Sequence, residues 1–200
     1  MVSHSGQQGM VFTIGHSNHS LERFIGLLKQ HGVQVLVDTR SYPASKHACH
    51  FDLANLKLAI KDAGMRFVYL GRQLGGRPPN KAYYDDEGRV LYDRLAQSDA
   101  FLAGISRLER GLRQYRVALM CSEENPAFCH RRLLIGRVLG ERGIRLLHIR
   151  GDGTVESEAE LQATLEDGKQ LGLFAETEAS TWKSTLSVSR RKQHPCSLKR

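Results

Sequence analysis

Residues 11–40 read VFTIGHSNHSLERFIGLLKQHGVQVLVDTR, and this stretch decides the fold. Val11-Phe12-Thr13-Ile14-Gly15 is an apolar run of strand length. Ser20 is a good helix N-cap; after it Leu21, Phe24, Ile25 and Leu28 recur at helical spacing, and Gly32 supplies the left-handed stop, so the helix ends near His31. Val33 to Asp38 is a second strand, apolar enough to be buried on both faces. A strand, a helix and a strand joined by short connections form a βα unit, because parallel strands must be linked by a crossover.

The same alternation continues outward. Asp52 caps a helix carrying Leu53, Leu56 and Ile60 and closed by Gly64, and Arg66 to Leu70 forms a third strand. Ser98 caps a helix with Phe101, Leu102, Ile105, Leu108 and Leu112 inward, followed by a fourth strand, Arg116 to Cys121. Asn125-Pro126 opens a helix that runs to Arg142, because Asn caps and Pro is tolerated at the first helical position. Gly143 ends it, Ile144 to Ile149 is the fifth strand, and a weaker helix spans Ser157 to Leu171. Between Gly71 and Tyr92 the pattern dissolves into Gly75-Gly76-Arg77-Pro78-Pro79-Asn80 and Tyr83-Tyr84-Asp85-Asp86. That is too long for an ordinary connection and reads as a lid or a substrate-facing insertion, with Tyr83 and Tyr84 either stacking on a base or anchoring the loop.

The expected fold is α/β: a single three-layer, Rossmann-like domain with a mostly parallel five-stranded sheet, helices on both faces and strand order 3-2-1-4-5. The expected organisation is a flexible N-terminus over 1–9, the α/β domain over 10–174, and a basic, disordered C-terminal tail over 175–200. Of the formal charge of +8, the segment from Lys183 to Arg200, rich in Lys and Arg and free of acids, carries most; the rest of the chain is nearly neutral. A polyanion partner would therefore be met by the tail. No apolar run has the roughly 18 to 20 residues that cross a bilayer, and the first residues lack a signal peptide's basic flank and apolar stretch, so a cytoplasmic protein without membrane contact is expected. In that compartment Cys49, Cys121, Cys129 and Cys196 are read as thiols.

Ligands of parallel sheets bind at the carboxyl ends of the strands, and the polar residues of this chain sit in those loops. Strand one delivers Gly15-His16-Ser17-Asn18-His19, strand two Asp38-Thr39-Arg40-Ser41, and strand four Cys121-Ser122-Glu123-Glu124-Asn125 ahead of Cys129-His130-Arg131-Arg132. The catalytic candidates are Cys121, Cys129, His16 and His130. A thiol near a helix N-terminus and beside Arg or His has its thiolate favoured, and histidine moves protons near neutral pH. The substrate-binding candidates are Ser17, Asp38, Arg40, Arg77, Glu123 and Arg131, with the arginines clamping an anion if they converge.

Several chemistries are disfavoured by spacing. Six residues after Cys121 stands Ala127 and six after Cys129 stands Ile135, so neither cysteine begins the Cys-x5-Arg cradle of thiol phosphatases. Gly15-His16-Ser17-Asn18-His19 is neither a dinucleotide nor a P-loop signature. A metal held by Cys121, Cys129, His130 and His16 would suit zinc chemically. Cys-x7-Cys-His is not a compact zinc pattern, however, so no metal is assigned from the sequence and the cofactor is left unidentified.

Thr13-Ile14-Gly15-His16-Ser17, the Asp38-Thr39-Arg40 turn with Pro43 and Ser45, Leu74-Gly75-Gly76-Arg77, and Cys121 with Cys129-His130-Arg131 together resemble domain-of-unknown-function family 488. The resemblance runs from Met10 to Ile149. It implies an architecture and a set of positions, and it brings no activity with it. The leading expectation is an enzyme acting on an anionic or nucleotide-like small substrate through a Cys/His/Arg site. The alternative is a non-catalytic module that senses a ligand or contacts nucleic acid weakly through the tail.

Overall fold

The computed structural model describes residues 9–44, 48–170 and 182–187. Its elements follow in chain order: β1 Met10–Gly15, α1 Leu21–Gln30, β2 Val35–Asp38, α2 Leu53–Asp62, β3 Arg66–Tyr69, α3 Gly71–Leu74, α4 Tyr92–Ala96, α5 Asp99–Leu112, β4 Val117–Cys121, α6 Arg137–Glu141, β5 Arg145–Ile149, β6 Val155–Ser157 and α7 Glu158–Gln170. Two of the expected caps act as their side-chain chemistry dictates, while Asp52 stands at the start of α2 without a side-chain cap bond. The Ser20 hydroxyl accepts the Arg23 N–H and the Ser98 hydroxyl accepts that of Phe101, each satisfying an orphan donor of a first turn.

The sheet has six strands in the order β3-β2-β4-β1-β5-β6, which corrects the expected five strands in the order 3-2-1-4-5. β1 to β5 are parallel, and β6 returns antiparallel along β5, with His148 opposite Glu156. Val155 to Ser157 is short and polar, so hydrophobic pattern gave no strand signal there. The second correction is β4, which lies between β2 and β1. Its five residues are all buried, as a central strand requires.

Alternation along the strands builds a core on each face. Phe12, Ile14, Leu36, Ala118 and Met120 meet Phe24, Leu27 and Leu28 of α1 and Leu56 and Ile60 of α2. Val11, Val35, Val37, Val117 and Leu119 point the other way, against Phe101, Ile105 and Leu108 of α5 and Leu134, Ile135 and Leu139 near α6. Leu102, expected inward, is on the outside of α5.

The helix expected from Asn125 starts later. Asn125 Oδ1 accepts the Ala127 N–H and the Pro126 carbonyl accepts the Cys129 N–H, which closes a turn. Regular winding begins as a π-helical segment over Arg131–Gly136 and continues into α6. The Asn-Pro pair thus caps a turn whose polar bonds are satisfied locally before the helix forms.

The 71–92 region is ordered against the domain: the Tyr84 hydroxyl donates to the Pro78 carbonyl, and Tyr83 and Tyr84 pack on the core, so both anchor the loop. Most of the tail lies outside the described residues. Residues 182–187, which are described, dock on the domain. Trp182 donates its indole N–H to the Leu133 carbonyl at 2.7 Å, its own carbonyl accepts the Tyr92 N–H at 2.9 Å, and Arg137 stacks over its ring. Among the described residues no helix is long and apolar enough to cross a membrane.

Candidate active site

Strand order creates the site. With β4 between its two neighbours, the backbone leaving Cys121 is bonded on both sides: the His16 N–H donates to the Cys121 carbonyl at 2.9 Å, the Ser17 N–H to Ser122 at 2.9 Å, and the Thr39 N–H to Met120 at 3.0 Å. The turns after β1 and β2 therefore flank the thiol at the end of β4. Gly15 makes this closeness possible, because a Cβ there would overlap the Glu123 carbonyl.

Cys121, Cys129 and His130 converge, with the three ligand atoms Sγ, Sγ and Nδ1 within 4.8 Å of one another. Nδ1 of His130 is 3.5 Å from Cys121 Sγ and 3.8 Å from Cys129 Sγ. Its other nitrogen, Nε2, lies 3.2 Å from the Thr39 carbonyl. A carbonyl only accepts, so Nε2 carries the hydrogen and Nδ1 is the atom turned to the sulfurs. Both sulfurs also lie against one Glu123 oxygen, at 2.8 Å for Cys121 and 3.2 Å for Cys129.

The groups drive one another's protonation in opposite directions. Burial raises the Cys129 thiol, but the bond from Cys121, the Arg131 charge and His130 outweigh burial and hold it well below the ordinary thiol value. Cys121 is shifted the other way, up, by burial and by its contact with Cys129. Burial lowers His130, yet Cys129 and Glu123 raise it above the usual imidazole value. The shared contacts thus draw Cys129 toward its thiolate and His130 toward its imidazolium, while Cys121 is drawn toward its thiol.

The remaining candidates are committed elsewhere. Arg40 is held by Asp38 through Nε to Oδ1 at 3.0 Å and NH2 to Oδ2 at 2.7 Å, and it also donates to the Phe51 carbonyl. His16 donates from Nδ1 to the Ser17 carbonyl and accepts Arg40 NH1 on Nε2 at 3.3 Å. Burial, with the Arg40 charge, lowers the His16 pKa to about 4, so its imidazole is neutral and fully used. Arg131, wholly buried, donates to the Glu123 and Glu124 carbonyls and to the Thr13 hydroxyl. The expected clamp of Arg40, Arg77 and Arg131 is therefore corrected: two of the three guanidiniums are already turned to acceptors of the protein itself. Ser17, at a positive φ of 47°, shapes the turn, and its hydroxyl donates to Asn18. Cys49 is disulfide-bonded, so among the described cysteines only Cys121 and Cys129 are thiols. Whether a fold brings two sulfurs within bonding distance is a matter of three-dimensional geometry that chain spacing does not reveal.

A family model for a domain of unknown function, DUF488, matches residues 20–138. The chain belongs to the DUF488 family. No curated protein and no solved structure matches it. Within the DUF488 span lie Asp38-Thr39-Arg40, Leu74 to Arg77 and the whole of Cys121 to Arg131, whereas the Gly15-His16-Ser17 turn precedes it.

Reading this DUF488 sequence for polar loop residues missed groups that pack beneath and beside the cluster. Tyr92, nearly buried on α4, feels Cys129, Cys121 and Glu123; burial first, then these charges, push its hydroxyl well above the ordinary phenol value, with Arg77 pulling the other way. Thr13, His148 and Glu158 form a buried relay. The Thr13 hydroxyl donates to His148 Nδ1 at 2.8 Å, and His148 Nε2 donates to Glu158 at 3.0 Å. Thr13 in turn accepts from Arg131, so the relay fixes the guanidinium that holds the Glu123 backbone. A polar Thr inside an otherwise apolar strand was the available signal. A cleft of about 670 Å³ is lined by Glu124, Arg150, Asp152, Glu156 and Glu160 among others. Arg150 there is already paired with both Glu124 and Glu156.

The Gly75-Gly76 turn roofs His130. A Cβ on Gly76 would stand 2.6 Å from both Cβ and Cγ of His130, closer than atoms tolerate. Gly76→Ala is therefore expected to displace the imidazole from the Thr39 carbonyl and to cost about 1–3 kcal/mol of stability, as overpacking does. Urea unfolding measures the cost and the His130 ring resonances report the displacement; an unchanged midpoint with unchanged resonances refutes the tight contact.

Proposed function

We propose that this DUF488 protein is an enzyme that takes a small anionic substrate against the Cys121, Cys129 and His130 cluster, with Arg77 as the anion anchor. The observation that carries the reading is the uneven fate of the arginines. Arg40 and Arg131 are each held by three or more hydrogen bonds to the protein, while among the described residues the Arg77 side chain makes no ion pair or hydrogen bond and lies near enough to Tyr92 to lower its pKa. A cation left without a protein acceptor beside a cluster of titrating groups is a candidate ligand contact. Glu123, at the exposed edge of the cluster, is placed to move protons between the sulfurs and solvent or substrate.

A charge-assisted hydrogen bond is worth about 1.5–3 kcal/mol, so Arg77→Ala should weaken anion binding by about tenfold or more. Titration calorimetry with inorganic phosphate and a nucleoside monophosphate reads this directly. Esters of the binding anion, followed by mass spectrometry, should be hydrolysed by the wild type to the alcohol and the free anion, water supplying the oxygen and the protons, and left intact by Cys129→Ser. The reading fails if neither anion binds at millimolar concentration, or if Arg77→Ala binds as tightly as the wild type. The other reading, a nucleic-acid or ligand-sensing module acting through the basic tail, rests mostly on residues outside the described structure, and Lys183, which is described, is paired with Asp85.

A further inference from the structure

We propose that Cys121, Cys129 and His130 bind one soft divalent metal ion, with zinc the best chemical fit. The inference deepens the reading of the cluster as a reaction centre and rests on it. In a tetrahedral zinc site with Zn–S near 2.3 Å and Zn–N near 2.0–2.1 Å, the sulfur-to-nitrogen edge is about 3.6 Å. The two such edges in this protein are 3.5 Å and 3.8 Å. Both sulfur-to-nitrogen edges thus match those of a tetrahedral site, and the sulfur-to-sulfur edge lies within 4.8 Å.

The second, independent observation concerns the far side of the imidazole. Metal-binding histidines hold their other ring N–H on a carbonyl or carboxylate, which fixes the tautomer and aims the lone pair. His130 Nε2 does this with the Thr39 carbonyl at 3.2 Å. Gly76 approaches His130 so closely that a Cβ there would overlap the His130 Cβ and Cγ. Two thiolates neutralise a dication in a buried site, and two sulfurs with one imidazole nitrogen select zinc over harder ions such as magnesium or calcium.

Glu123 is not a ligand in this arrangement. Its oxygen is 2.8 Å from Cys121 Sγ, well short of the roughly 3.6 Å edge that two ligands of one zinc ion would keep. It lies against the sulfurs as a hydrogen acceptor. Metal uptake forms two metal–sulfur bonds and one metal–nitrogen bond and releases whatever protons the two sulfurs and Nδ1 carry, because each ligand atom must be deprotonated to bind. Glu123 is the group placed to pass them to solvent. Three protein ligands leave a fourth position open, which is the pattern of catalytic zinc sites; structural ones are closed by four.

The test uses the full chain, freed of metal by chelator and titrated anaerobically with cobalt(II) alone. The expected result is one cobalt per chain with a thiolate-to-cobalt charge-transfer band in the near ultraviolet, tetrahedral d–d intensity, and displacement by zinc. Cys129→Ser and His130→Ala should each weaken uptake by about a hundredfold or more, beyond the 10- to 100-fold typical of outer-shell losses. Arg77→Ala should take up cobalt like the wild type. Absence of the charge-transfer band in the wild type overturns the inference, whether or not the variants fold, and so does uptake that Cys129→Ser leaves unchanged. Arg77-dependent phosphate binding in a chain that takes up no cobalt removes the metal and spares the anion reading. Cobalt uptake without anion binding does the reverse.

Discussion

Asp38→Ala is expected to destabilise the protein by about 3–5 kcal/mol, the range found when one partner of a buried ion pair is removed. Asp38 is wholly buried and Arg40 nearly so, and the carboxylate takes three hydrogen bonds from that one residue: its backbone N–H, Nε and NH2. Without the carboxylate, Arg40 keeps the Phe51 carbonyl and the His16 nitrogen as acceptors but has no counter-charge in a site water barely reaches. The loss is larger than a surface pair would give, because exposed pairs contribute about 1 kcal/mol or less. Urea unfolding of Asp38→Ala, Arg40→Met and the double variant checks it. The double variant should recover much of the loss, since it removes the stranded charge, and a single variant within about 1 kcal/mol of wild type would show that the pair is not a closed unit.

The second large effect is on the pH dependence of stability, and it belongs to His16. Its ring stacks on Phe51 at a centroid distance of 4.4 Å, and burial, with the neighbouring Arg40, lowers its pKa from 6.5 to about 4. The bond to the Ser17 carbonyl and the Glu123 charge oppose the shift, while His50 adds to it. Between those two values the unfolded chain binds a proton that the folded chain refuses. Stability therefore rises with pH across the window, is complete above about 6.5, and is lost as the pH falls toward 4. A tenfold difference in proton affinity between the folded and unfolded chain corresponds to about 1.4 kcal/mol, so the full swing is on the order of 3 kcal/mol. Unfolding free energies of wild type and His16→Gln, taken from pH 7 to pH 4, should converge at the acid end, because the variant has no proton to refuse. Parallel curves would show that His16 titrates normally in the folded protein.

Both effects come from residues that the sequence flags for a different reason. Asp38, Arg40 and His16 stand out as charged or polar groups ending apolar strands, and polarity in such a place signals either a ligand or an internal partner. The structure gives them internal partners: Asp38 with Arg40, and Arg40 with His16. They form a rigid polar wedge behind the cluster, whereas Cys121, Cys129, His130 and Glu123 converge where proximity in the chain and a shared strand end suggest they would. Tyr92 escaped notice because it follows an irregular segment, and its place beside the thiols depends on Trp182, some 90 residues later, bonding its backbone.

Strands β1 to β5, helices α1, α2, α5 and α7 and the caps Ser20 and Ser98 were legible from the amino-acid order alone, because apolar periodicity, Ser caps and glycine stops act within a few residues. Membership of the two cores also followed, since alternation along a strand fixes which side chains share a face. Local signals could not say that β4 pairs with both β1 and β2. A crossover helix permits a strand to land on either side of its neighbours, and only the total burial of the assembled sheet selects one order. That choice places Cys121 between the β1 and β2 turns, turns His130 onto the Thr39 carbonyl, and decides which arginines are spent, so the chemistry of the site belongs to the tertiary structure even though every residue in it could be read from the chain.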